Sequence, residues 1–142
     1  MILARWDAPE EWRVVLRLRP GADLRRGIEA AFTGEIERRG AGAGYVAACA
    51  GSLSRAAIRP AGRDDALDLT GDMEIVSLSG TLTPDGPHLH VAVADATGTM
   101  TGGHLLPGCE VRTTAEIVLA LSGVRLVRAH DSETGCAELS AP

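Results

Sequence analysis

Trp12-Arg-Val-Val-Leu-Arg-Leu-Arg19-Pro20-Gly21-Ala22-Asp23-Leu24-Arg-Arg-Gly27-Ile28-Glu-Ala-Ala31-Phe32-Thr-Gly34-Glu-Ile36-Glu-Arg-Arg39-Gly40 holds two periods side by side, and the switch between them decides the fold class. In the first part Val14, Leu16 and Leu18 alternate with Arg13, Val15, Arg17 and Arg19, which predicts a half-buried strand with its charges outward. Pro20-Gly21 stops that strand. Asp23 then stands at a helix N-cap, where its carboxylate can accept from the free amides of the first turn. From Leu24 to Arg39 the apolar residues Leu24, Ile28, Ala31, Phe32 and Ile36 recur at helical spacing. Gly40 closes the helix, and Gly27 and Gly34 within it each cost about 1 kcal/mol relative to alanine.

Past this helix the chain reads as strands and turns. Tyr45 to Pro60 is extended and rich in small residues, with Gly51 at a bulge. A polar turn at Arg63-Asp64-Asp65 leads to Leu67–Leu69 and then to a strand over Met73–Leu82. Pro84-Asp85-Gly86 turns into a strand carrying His88 and His90, and Met100–Leu106 returns along it. After the Pro107-Gly108 break come Val111–Leu121 and Val124–Arg128, followed by a polar tail from His130 to Pro142 that is expected to fray. One helix and then a run of turn-linked strands predicts an α+β fold, with one main helix packed on a mostly antiparallel β-sheet. The reading is one domain over 1–142, its core spanning about 12–128.

The composition narrows the function. The 142 residues are 45% hydrophobic, enough to build a core, but only 3% aromatic. Trp6, Trp12, Phe32 and Tyr45 are too few and too scattered for a surface that stacks single-stranded nucleic acid. A net charge of -5 argues against bulk phosphate binding, and the densest basic group, Arg13, Arg17, Arg19, Arg25 and Arg26, reads as a solvated face. Cys49, Cys109 and Cys136 have no metal-ligand spacing, and Cys49 and Cys109 read as small core residues. With no leader-like run and no long apolar segment, the expectation is a reduced cytoplasmic protein without a membrane partner. No phosphate loop, nucleophile elbow or dinucleotide fingerprint is present.

Three of the four histidines fall between positions 88 and 104. On a strand His88 and His90 share one face with Ala92 and Ala94, while Leu89, Val91 and Val93 take the other and form core. A turn at Ala96-Thr97-Gly98 lets the next strand bring His104 back beside the pair. Three neutral imidazoles with one open position suit zinc; the same spacing also suits histidines on a solvated strand face.

Leu18-Arg-Pro20-Gly21-Ala-Asp23-Leu24, Gly51-Ser52-Leu53, Glu74-Ile75-Val76-Ser77-Leu78-Ser79-Gly80, His88-Leu89-His90-Val91, Gly102-Gly103-His104-Leu105 and Thr113-Thr114-Ala115-Glu116-Ile117 follow one another in order. Together they resemble the PPC domain, the plants and prokaryotes conserved domain, which accompanies AT-hooks in plant nuclear proteins and stands alone in prokaryotes. The resemblance implies an α+β homotrimer. In stand-alone members it implies a metal, usually zinc, on the positions of His88, His90 and His104. It also implies a DNA-linked regulatory role, although the Arg-Gly-Arg-Pro core that enters the A·T minor groove is absent from this chain.

The functional expectation is therefore a trimeric metal-binding protein, with zinc as the metal, whose site recognises a small ligand or partner and whose biochemical role is unresolved; a second reading is a regulator associated with DNA through the domain or a partner. The alternative is a metal-dependent hydrolase with water activated on a three-histidine zinc. Glu74, placed by alternation on the same strand face as Val76 and Leu78, is the candidate base or partner to a ligating histidine, and Glu116 is a weaker one. Asp95 reads as a turn former and His130 as an exposed tail residue.

Overall fold

The computed structural model describes residues 5–142. Trp12–Leu18 is the first strand, β1, and it alternates half-buried and exposed as the sequence requires. Leu24–Arg39 is the helix α1. The Asp23 carboxylate accepts from the Arg26 amide, and Gly40 ends α1 in a left-handed conformation, its amide donating back to Glu35 and Ile36. Then follow β2 (Ala43–Arg59), β3 (Leu67–Thr83), β4 (Gly86–Ala94), β5 (Met100–Leu105), β6 (Glu110–Ser122), β7 (Val127–His130) and β8 (Ala137–Ser140).

The first six strands form one sheet in the order β1-β6-β2-β3-β4-β5, and every pairing in it is antiparallel. The predicted α+β class is observed. β5 also pairs with the end of β2, Ile58 with Leu105 and Arg59 with His104, so β2, β3, β4 and β5 close on themselves at one end. Gly103 permits that closure, because a Cβ there would come within 2.5 Å of the Arg59 carbonyl oxygen.

β3 runs unbroken through the two short segments expected at 67–69 and 73–82. β2 shifts register against β6 between Gly51 and Leu53, where a bulge is expected. The tail differs from expectation. It does not fray but forms the β7–β8 hairpin. This hairpin docks by polar contacts that leave no hydrophobic period to read: the Arg128 amide donates to Asp85 at 2.9 Å and its guanidinium to the Thr81 hydroxyl at 2.7 Å.

The core lies between α1 and one face of the sheet. Leu24, Ile28 and Phe32 of α1 meet Leu53, Ile58, Leu89, Leu105, Ile117 and Leu119, all buried. Each such side chain contributes roughly 1.5–3 kcal/mol by leaving water. Cys109 is fully buried and Cys49 half-buried, and burial pushes both thiols up to about 11, so they stay protonated as core residues.

A polar latch adds to this packing. The Trp12 indole N–H donates to Glu35 Oε2 at 2.9 Å, Arg38 Nε donates to the other oxygen at 3.1 Å, and the Arg39 guanidinium lies 4.3 Å over the Trp12 ring. Glu35→Ala leaves the indole N–H without its partner and is expected to cost about 1–3 kcal/mol. Urea unfolding followed by tryptophan fluorescence checks it. An unchanged midpoint would show that the latch contributes nothing.

Candidate metal centre

The closed end of the sheet brings three imidazoles together. His88 stands opposite Thr81 of β3, His90 stands between Ser79 of β3 and His104 of β5, and His104 in turn faces Arg59 of β2. The backs of these strands are sealed by Leu89, Val91, Val93 and Leu105 in the core, which fixes the face on which the rings emerge. The 96–98 turn that returns β5 is tied by Asp95, whose carboxylate accepts from the amides of Thr97 at 2.8 Å and Thr99 at 3.1 Å.

The ring centroids lie 4.9 Å apart for His88 and His90, 4.7 Å for His90 and His104, and 5.5 Å for His88 and His104. A tetrahedral ion about 2.1 Å from each nitrogen would set such centroids about 5 Å apart. One nitrogen from each ring lies within 4.8 Å of the others. The donor set and the geometry thus fit a three-imidazole ion with an open fourth position.

The imidazoles of His88 and His104 are both held below the ordinary histidine range. For His88 the causes are burial first, then the charges of His90, Arg128 and Arg59, with Glu138 opposing; for His104 they are burial, then Arg59, His90 and His88. Both rings are therefore biased toward the neutral form, the one with a lone pair to give.

Beside the rings opens a cleft of about 510 Å³, lined among others by Arg59, His88, His104, Arg128, Cys136 and Glu138. Arg128, Cys136 and Glu138 come from the β7–β8 hairpin or its turn. Neither these three nor Arg59 can be assigned to the site from the sequence, because long-range register and hairpin docking, not spacing along the chain, place them there.

Glu74 is not brought to this site within the chain. It pairs with Ala94, at the opposite end of β4 from His88, roughly 20 Å along the strand from Thr81. The expected shared face of Glu74, Val76 and Leu78 is corrected too: a register shift between Ile75 and Ser77 breaks the simple alternation, so Glu74 and Val76 are exposed while Leu78 is buried. Glu116 is exposed opposite Arg17 of β1, and His130 is exposed on β7. Among the described residues no helix is long and apolar enough to cross a membrane.

The chain is 49% identical over 125 residues to the bifunctional protein GlmU of Synechococcus sp. (strain JA-3-3Ab), an alignment covering 87% of this chain and 20% of that protein. It thus spans about a fifth of the length of that curated relative. Its structure is similar to that of a hypothetical protein from Salmonella enterica, with a TM-score of 0.84, 37% identity, and coverage of 94% of this chain and 95% of that one. It is also similar to a metal-containing protein from Archaeoglobus fulgidus, with a TM-score of 0.72, 30% identity, and coverage of 99% of both chains. The Plants and Prokaryotes Conserved (PCC) domain matches residues 8–122, a span that takes in β1, α1, all three clustered histidines and β6. On sequence pattern, topology and this match alike, the chain belongs to the Plants and Prokaryotes Conserved domain family.

Proposed function

We propose that this chain is a self-associating metal-binding protein that holds one zinc ion on His88, His90 and His104. The observation that carries the reading is the spacing of the three rings, which matches a tetrahedral ion. The likeness to a solved protein described as metal-containing supports it. Zinc would supply a Lewis-acidic centre, and the residues of this chain would orient it and shape what reaches it.

Self-association is supported by the face of the sheet turned away from the core. There Val15, 75% exposed, lies in register with Val118 of β6, which in turn pairs with Ala48 of β2, and Val76 of β3 is 50% exposed. Apolar side chains in such a row gain by burial against another copy, and a trimer is the assembly the family resemblance implies.

Elemental analysis of protein purified after zinc loading, together with sedimentation equilibrium, tests the reading. One zinc per chain and a trimeric mass are expected. A metal-free protein would overturn the site, and a mass of 14.8 kDa at every concentration would overturn the assembly. A direct role at DNA would appear in the same preparation as duplex affinity that falls steeply with salt. Hydrolysis with Glu74 as base gains no support from its position on β3.

A further inference from the structure

The cleft beside the imidazoles carries more positive charge than a plain metal site needs. Among the described residues seven arginines, including Arg25 and Arg63, are paired with carboxylates, whereas Arg59 and Arg128 have no carboxylate within ion-pair distance. Arg59 donates to the Arg63 carbonyl at 3.1 Å, and Arg128 to the Thr81 hydroxyl at 2.7 Å. Both line the cleft with His88 and His104.

The two carboxylates that line the same cleft form no ion pair with either guanidinium and take their hydrogen bonds from neutral donors. Asp85 accepts the Arg128 backbone amide at 2.9 Å, and Glu138 accepts the Thr134 hydroxyl at 3.0 Å. A third guanidinium at the rim, that of Arg25, is taken up by Glu29 at 2.9 Å and by the Leu105 carbonyl at 2.8 Å. Two guanidiniums thus stand beside the trio with donors to spare.

This deepens the metal reading and rests on it. A dication on three neutral rings beside two guanidiniums that have no ion-pair partner is a concentration of positive charge that Asp85 and Glu138 offset only in part and that a water molecule in the fourth position does not relieve. An oxyanion does. One oxygen can take the open position on the ion, while the others accept from the planar forks of Arg59 and Arg128, which match carboxylate and phosphate geometry. We infer that the cleft binds a small carboxylate- or phosphate-bearing ligand, held between the ion on His88, His90 and His104 and the guanidiniums of Arg59 and Arg128. Ion and oxyanion then bind with positive coupling, each raising the affinity for the other. The volume of about 510 Å³ admits a metabolite-sized ligand.

Zinc titration of the whole chain against a competing chelator tests this. It is run in a non-coordinating buffer and then with inorganic phosphate or malonate added, each corrected for its own affinity for zinc. At least one of the two is expected to raise zinc affinity about tenfold or more, a typical size for such coupling, and which one does so distinguishes phosphate from carboxylate ligands. In the double variant Arg59→Gln, Arg128→Gln the gain is expected to vanish, while zinc affinity without an added anion holds or rises because the repulsion is gone. Equal zinc affinity in every buffer, or a gain that survives the double variant, overturns the oxyanion site alone. A wild-type chain that takes up no zinc overturns the metal reading and the oxyanion site with it.

Discussion

The His104→Ala chain is expected to hold zinc about a hundredfold more weakly than wild type, and to lose it on dialysis against a mild chelator. Groups that merely orient a ligating imidazole are worth 10–100-fold in metal affinity, so removal of the ligand itself must cost at least the upper end of that range. His104 is the ring to remove because the sheet makes it the bridge: it pairs with His90 across β4 and β5 and with Arg59 across the β2–β5 seam. Its ring lies 4.7 Å from that of His90 and 5.5 Å from that of His88. Without it two exposed imidazoles on one strand remain, an arrangement with no third donor to fix the ion. The loss has to be read against folding, and two comparisons supply that. Alanine at a half-buried strand position should leave the metal-free midpoint within about 0.5 kcal/mol of wild type. His130→Ala, which alters an exposed histidine on β7 outside the cluster, should leave zinc binding untouched. Equal zinc content in His104→Ala and wild type would remove the basis of the assignment.

Much of this site is legible in the order of residues alone. The two-residue period of a strand puts His88 and His90 on one face, and the turn around Gly98 implies the return of His104. The helix is equally legible, because Asp23, the spacing of Leu24, Ile28 and Phe32, and Gly40 all point to the same limits. What stays hidden shares one physical cause. The extent of β2 is legible as an extended run, but Arg59 enters the cleft only because the end of β2 pairs with β5, and that long-range register has no signal along the chain. Arg128, Cys136 and Glu138 arrive on a hairpin held by hydrogen bonds to Asp85 and Thr81, and polar docking of that kind has no period. Glu74 departs from its expected place for a related reason. A single register shift between Ile75 and Ser77 puts residues on either side of it out of phase, so alternation counted from Leu78 gives the wrong face.

Gly80→Ala is expected to damage fold and site together, and it is the strongest single backbone test of how the two are joined. Gly80 sits in β3 opposite Leu89 of β4 with φ 139, a conformation that residues with a side chain rarely adopt. A Cβ there would fall inside the contact distance of the His88 carbonyl oxygen and only 2.9 Å from the His88 carbonyl carbon and the Leu89 Cα. These are backbone atoms of the neighbouring strand, so no rotamer change relieves the clash, and β4 itself must move away from β3. Strain and lost ladder bonds together should cost about 3 kcal/mol or more. For a chain of this size that lowers the melting temperature by roughly 10 °C. Because the displaced strand carries His88 and His90, zinc affinity should fall in the same variant even below its melting temperature. Gly34→Ala supplies the opposite case: it lies exposed on α1 with nothing within 4 Å of the place a methyl would take, and alanine there should raise stability by about 0.5–1 kcal/mol. Thermal unfolding of both variants without metal, followed by zinc titration below the transition, separates these effects. If Gly80→Ala melts with wild type and binds zinc as tightly, then the close approach of β3 and β4 is not what holds the imidazoles in place.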